Sequence, residues 1–249
     1  MLVYPQSLLP SKWISFANSR APSVELRSLP LLSFDTETTG LDVFADSICS
    51  IGFAAKTENL EPLLRQLPPR TVHTFSCAGA SYVAAEWYVK PHRRPSAVSV
   101  RIHGLTKALL ADAPTFAEIW PVLAPVVERS FLHAFNTGFD VAMLAQHVIR
   151  ARLPFCIPLS TDQRFVARIC RGIDAQFDEV LSAYDISNRH RHSALGDAEA
   201  VLRLWLHELD ELSARGIHTL HDLDLHVRQT NHHLIQQQAN LGWLPPHHR

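Results

Sequence analysis

The chain has 249 residues, 47% hydrophobic and 19% charged, with a formal net charge of −1 and a pI of about 6.9. This is enough apolar material for one sizeable globular core plus appendages, and no apolar run reaches the length of a membrane span. A near-neutral balance gives no global signal for nucleic-acid binding, so such a ligand would need a local patch.

The N-terminus, MLVYPQSLLPSKW, lacks the basic flank, long apolar centre and small-residue cleavage site of a secretory signal, so a cytoplasmic location is expected. Cys49, Cys77, Cys156 and Cys170 have neither Cys-x-x-Cys pairing nor zinc-like spacing with histidine and are expected to be reduced thiols, mainly buried. Residues 1–30, interrupted by Pro5, Pro10, Pro22 and Pro30, are expected to form an irregular or partly helical leader packed on the main domain.

Leu31 to Gly40, LLSFDTETTG, starts the regular structure with a strand over Leu31 to Glu37. Side chains in a strand repeat direction every second residue, so Asp35 and Glu37 point the same way. Two like charges at the end of a buried strand are costly unless a cation lies between them, and oxygen ligands suit a hard divalent ion. Taken alone, the pair fits a solvated acidic turn at least as well.

A second strand is expected over Ile48 to Lys56. Glu58 to Ala80, broken by Pro62, Pro68 and Pro69, shows no clean period, and AAEWYV, Ala84 to Val89, reads as a third strand in an antiparallel meander. Beyond RIHGLT (Arg101 to Thr106), a helix is expected after Pro114, kinked or shortened by Pro121 and Pro125. FLHAF, Phe131 to Phe135, is a short buried strand, followed by a cap at Asn136 or Thr137 and a helix over Val141 to Arg152.

Short helices are expected over Thr161 to Cys170 and Phe177 to Tyr184, and a long one over Ser193 to Ser213 with a stripe through Val201, Leu202, Trp205, Leu206 and Leu209. In the tail from Gly216 to Arg249, Leu220, Leu223, Val227 and Leu234 fall at roughly helical intervals, which fits an extra helix packed on the domain or a partner-binding arm, packing being the favoured reading. Strands first, then strand and helix in alternation, predict a mixed sheet covered by helices.

Two further stretches carry candidate chemistry. Asp140 falls on the apolar face of its expected helix, where an unpaired carboxylate is expensive, although a first-turn acid also complements the helix dipole. In RHSALGDAEA, five helical residues rotate about 140° past a full turn, so His192 and Asp197 can share a site only if His192 stands at or before the helix start. Ser193 is a plausible cap there.

FDTETTG, HAFNTGFD and RHSALGDAEA, in that order, with RIHGLT and WYVKP between the first two, resemble the motifs of the DEDDh, DnaQ-like 3′-to-5′ exonucleases of the ribonuclease H-like superfamily. The resemblance covers about Leu31 to Leu209 and implies an α/β fold, with three antiparallel strands followed by parallel strands and flanked by helices. It implies an exonuclease domain over 31–212, between the leader (1–30) and a helical tail (213–249).

By the same resemblance Asp35, Glu37, Asp140 and Asp197 would hold two Mg²⁺ or Mn²⁺ ions, with His192 as general base. Thr38, Thr39, Gly40, Asn136 and Phe139 would meet the 3′ end of a single strand. Loop geometry and core packing are equally open readings for Thr38, Thr39, Gly40 and Phe139. Arg189 to Arg191 could touch substrate phosphate, and Lys90, His92, Arg93 and Arg94 read as an ordinary solvated loop.

The implied activity is removal of 3′ nucleotides, from DNA in preference to RNA, as in proofreading by a polymerase III epsilon-like subunit. An RNA-trimming enzyme and a catalytically silent nucleic-acid-binding module are the alternatives. A DNA polymerase is an implied partner, and Gln238, Leu241 and Trp243 in QANLGW loosely resemble a sliding-clamp-binding peptide.

Overall fold

A computed structural model of the protein describes residues 23–154 and 159–230. Its centre is β1 (Leu31–Thr38), a strand with neighbours on both sides. With β2 (Ile48–Lys56), β3 (Thr71–Cys77), β4 (Ala80–Tyr88), β5 (Phe131–Ala134) and β6 (Ser160–Asp162) it forms one sheet, in the order β3-β4-β2-β1-β5-β6. The first four strands pair antiparallel, whereas β5 and β6 run parallel to β1. β1 is therefore the line along which the sheet changes sense, as expected of a mixed ribonuclease H-like sheet.

The helices are α1 (Thr57–Gln66), α2 (Ala97–His103), α3 (Phe116–Arg129), α4 (Thr137–Ala151), α5 (Gln163–Arg171), α6 (Phe177–Ala183), α7 (Ala194–Ala214) and α8 (Leu220–Thr230). Alternation along β1 divides its side chains between two layers. Leu32 and Phe34 enter the main core with Leu60 and Leu63 of α1, Ile119 and Leu123 of α3, and Met143 and Leu144 of α4. The opposite face is covered by α7, which sets Leu195, Ala198 and Leu202 against Ala54, Tyr82 and Ala84. Trp205 and Leu212 of α7 then pack on Val166 of α5 and on Leu220 and Leu223 of α8.

Several expectations need correction. Glu58 to Ala80 is not irregular: it contains most of α1 and all of β3. Pro62 lies on the exposed side of α1, and β3 is an edge strand whose side chains are mostly exposed, so neither gives a strong apolar period. β3 returns into β4 through Ala78 and Gly79, both at positive φ (48° and 78°), as a two-residue hairpin turn of the type that suits twisted strands requires. The antiparallel part consequently has four strands, one beyond the expected meander.

Helix α3 runs through both Pro121 and Pro125. Ala117, Pro121 and Pro125 share one exposed face at four-residue spacing, so water can solvate the carbonyls that the prolines leave without an N–H partner. RIHGLT is not only a link, because Arg101 to His103 close α2. The expected helix from Thr161 begins at Gln163 instead; Ser160–Asp162 pair as β6, and the Asp162 carboxylate accepts the Arg164 N–H at 3.0 Å as a cap.

Of the leader, residues 23–30 are described: Leu26 is buried in a short 3-10 turn, and Glu25 bridges to Thr219. In the tail, Leu220 and Leu223 are buried, and Leu234 and the clamp-like Gln238, Leu241 and Trp243 lie outside the described residues. Cys49 and Cys170 are buried free thiols, Cys77 is a partly exposed one, and Cys156 also lies outside. No described helix is long and apolar enough to cross a membrane.

Candidate active site

Asp35 on β1 stands directly opposite Gly52 on β2, which in turn stands opposite Glu86 on β4. Facing residues on neighbouring strands share a side of the sheet, so the two carboxylates flank a gap with no side chain. The first turn of α7 fills it. A Cβ on Gly52 would lie 2.0 Å from the Ala194 carbonyl oxygen and 2.1 Å from its carbon, both backbone atoms. The burial of Glu86 raises its pKa, and the Ala194 amide hydrogen-bonded to it works in the opposite direction. A carboxylate at this point complements the positive end of α7.

Docking α7 there delivers Asp197, in its first turn, to the β1 acids. One oxygen from each of Asp35, Glu37 and Asp197 lies within 4.8 Å of the others. Burial, then the neighbouring Asp197, Asp140 and Glu37 charges, push Asp35 well above the ordinary carboxylate range. Burial and Asp197 raise Glu37 to about 8. Carboxylates that crowd and resist ionisation want a positive partner, and a set made only of oxygens suits a hard divalent cation.

Asp140 stands beside this trio. Its Oδ1 accepts the Thr36 N–H at 3.0 Å and the Thr36 hydroxyl at 2.6 Å, and burial still raises its pKa to about 7. Asn136 occupies the cap position of α4 at φ 63°, but its side chain does not cap the helix and its Oδ1 accepts from Arg164 at 2.7 Å.

His192 precedes α7, as rotation along the helix demands; it is exposed and adopts φ 62°. The turn is tight because the chain at His190 folds back over Gly196, where a Cβ would lie 2.3 Å from the His190 carbonyl oxygen. Ser193 caps the helix by accepting the Gly196 N–H at 3.1 Å. Asp197 is buried and doubly engaged: Asn188 donates to Oδ1 at 2.6 Å, and Nη1 of Arg191 donates to Oδ2. Burial raises Asp197, while Arg191 and Asn188 lower it.

The remaining candidates are tied into the loop after β1 or into the core. The Thr38 hydroxyl donates to the Gly40 carbonyl at 2.7 Å, and the Thr39 hydroxyl donates to Asp46 at 2.9 Å. His103 donates from Nε2 to the Thr38 carbonyl at 3.1 Å and accepts the Leu105 N–H at 3.0 Å, so it braces this loop from α2. Phe139 packs against the main core. Among the basic residues after β4, Arg93 lies 3.7 Å from Asp46, and His92 bonds with Ser47.

Gly52, Glu86 and Arg191 were not resolved as individual site residues by the sequence. An isolated glycine in ICSIGFAAK and a lone acid in AAEWYV were the available signals for the first two, since both residue types are uncommon inside buried strands.

A family model described as an exonuclease, RNase_T, matches residues 32–205. A DNA polymerase III subunit epsilon-like protein of Rhodobacter capsulatus is 28% identical over 208 residues, which cover 82% of this chain and 27% of that protein. The DNA polymerase III subunit epsilon of Pasteurella multocida is 28% identical over 183 residues, covering 69% of this chain and 65% of the subunit. The chain thus spans less than two thirds of either relative. A structure of Exonuclease X in complex with 5′ overhanging duplex DNA superposes with a TM-score of 0.52 at 21% identity, covering 79% of this chain and 99% of that one, a likeness of fold.

Gly52→Ala should lift the first turn of α7. The expected loss is about 1–3 kcal/mol of stability by denaturant unfolding, together with weakened divalent-ion binding by calorimetry; unchanged values for both would refute the close-approach account.

A second prediction concerns pH. With a chelator present, stability should fall as pH rises from about 6.5 to about 9, because the folded protein retains protons on Glu37 and Asp140 that the unfolded chain has already released. Glu208, buried away from the trio and raised to about 8, adds to the same trend. Divalent ion or Glu37→Gln should flatten part of this slope. Thermal unfolding across the window tests this, and stability that holds level or rises in chelator counts against it.

Proposed function

The chain belongs to the RNase_T exonuclease family, the DnaQ-like branch of the ribonuclease H-like fold, and on that premise we propose that it is a metal-dependent 3′-to-5′ exonuclease acting on single-stranded 3′ ends. The observation that carries this reading is the convergence of Asp35 and Glu37 of β1 with Asp197 of α7, a strand and a helix far apart in sequence, within 4.8 Å. The proposed domain is 31–212, with 1–30 and 213–249 as appendages.

In this reading Asp35, Glu37 and Asp197 hold Mg²⁺ or Mn²⁺, and Asp140, fixed by Thr36, completes the charge of the site. Two such ions supply polarisation of the scissile phosphate and stabilisation of the attacking and leaving oxygens. His192, exposed at the mouth of the turn, takes the proton from the attacking water. The loop Thr38 to Gly40 is held rigid from within and from α2, and it offers its backbone to the terminal nucleotide. Asn136 and Phe139 are assigned to the same substrate strand.

DNA is the proposed substrate, since the relatives are named for a DNA polymerase and the Exonuclease X structure holds duplex DNA. A replicative polymerase is the corresponding partner, and the cytoplasm the corresponding setting.

5′-labelled DNA and RNA oligonucleotides, incubated with Mg²⁺, Mn²⁺ or chelator, should yield a ladder of DNA products shortened from the 3′ end only when ion is present. Asp35→Ala and Asp197→Ala should abolish the ladder while remaining folded by circular dichroism; full activity in either would remove the site assignment. RNA products alone would move the substrate to RNA.

His192→Ala should be impaired most near neutral pH and partly recover at higher pH, where hydroxide is commoner. A rate profile parallel to the wild type would assign the base elsewhere.

A further inference from the structure

Arg191 touches the acidic trio directly and is held on both sides. Nη1 donates to Oδ2 of Asp197, and Nε donates to Asp178 at 2.6 Å. The two partners differ sharply: the Asp197 side chain is 6% exposed and that of Asp178 is 67% exposed. The guanidinium also lies 4.9 Å from the Phe177 ring centroid. Because different nitrogens serve the two carboxylates, one contact can open while the other holds.

With Asn188 on Oδ1, both oxygens of Asp197 are engaged by protein donors. An ion shared with Asp35 and Glu37 needs one of those oxygens. Asn188 is neutral and can stay on its oxygen, whereas a divalent ion repels a guanidinium at contact distance.

We infer that Arg191 competes with a divalent ion for Asp197 and so sets the ion affinity of the site, yielding its contact on ion binding and being retained by Asp178 and the Phe177 ring. This rests on the ion-holding role proposed above for Asp197. Arg191 is then a positioning residue: it screens the trio until an ion arrives and withdraws sideways, without leaving the rim. Its positive charge lowers Asp35, Glu37 and Asp197 against the upward push of burial, as a screening group should.

A rigid strut would behave differently, since it would keep its Asp197 contact with the ion in place and its loss would weaken ion binding. Competition makes the opposite forecast, and it assigns opposite signs to changes at the two ends of the bridge. If the Arg191–Asp197 contact is closed about 90% of the time, it weakens apparent ion affinity about tenfold.

Calorimetric titration of the whole 249-residue chain with Mn²⁺, without nucleic acid, tests this directly. Arg191→Gln should bind Mn²⁺ about tenfold more tightly and unfold at a lower temperature in chelator. Asp178→Asn, a change on the exposed side, should bind Mn²⁺ several-fold more weakly, because the guanidinium is left with Asp197 alone. Unchanged or weaker binding by Arg191→Gln overturns the inference, as does unchanged or tighter binding by Asp178→Asn; should Arg191→Gln fail to fold, the second variant decides. A wild-type protein that takes up no Mn²⁺ refutes the metal reading and this inference together, whereas normal wild-type uptake with the wrong sign in the variants refutes the inference alone.

Discussion

Like-charge crowding at the end of β1 is the constraint around which this protein is arranged. Asp35, Glu37 and Asp197 stand close enough to share an ion, with Asp140 alongside, and burial adds to their mutual repulsion. Local propensity would never assemble such a cluster. It persists because both neighbouring layers are tightly packed: Leu32 and Phe34 bind β1 into the main core, and Leu195, Ala198 and Leu202 hold α7 against the other face. Stability is drawn from those layers to keep a charged pocket ready, as is common where a fold serves chemistry.

The approach of α7 is what turns two strand acids into a three-acid pocket. Small residues on one face of the sheet, Gly52, Ala54 and Ala84, let the helix come close, and Glu86 faces its positive end. Around its start, Asn188, His190 and Ser193 fold the preceding turn onto the helix, so His192 and Arg191 arrive beside Asp197 as a consequence of one compact cap. Placement of the candidate base and of the competing cation is thus a single structural decision.

Much of this was legible in the sequence where the signal was local. Continuous apolar runs marked β1 and β2, and the latter has the expected bounds, Ile48–Lys56. The rotation between His192 and Asp197 correctly placed the histidine ahead of α7. What escaped was fixed by tertiary context. β3 carries few buried side chains because it is an edge, α1 and α3 contain prolines that are harmless on solvent faces, and α2 is only seven residues long with none fully buried. Arg191 looked like one of three neighbouring basic residues, and only the fold distinguishes it by setting it between Asp178 and Asp197.

Alternation in β1 has a last implication. The even positions Leu32 and Phe34 belong to the core, and the odd positions Asp35 and Glu37 belong to the pocket, so the hydrophobic pattern and the acid pattern are locked in phase. A slip of one residue would turn Phe34 toward the pocket and drive both acids into the apolar layer. Evolution can lengthen the surface loops of such a protein freely, yet a single insertion between 31 and 37 would forfeit folding and chemistry in the same stroke.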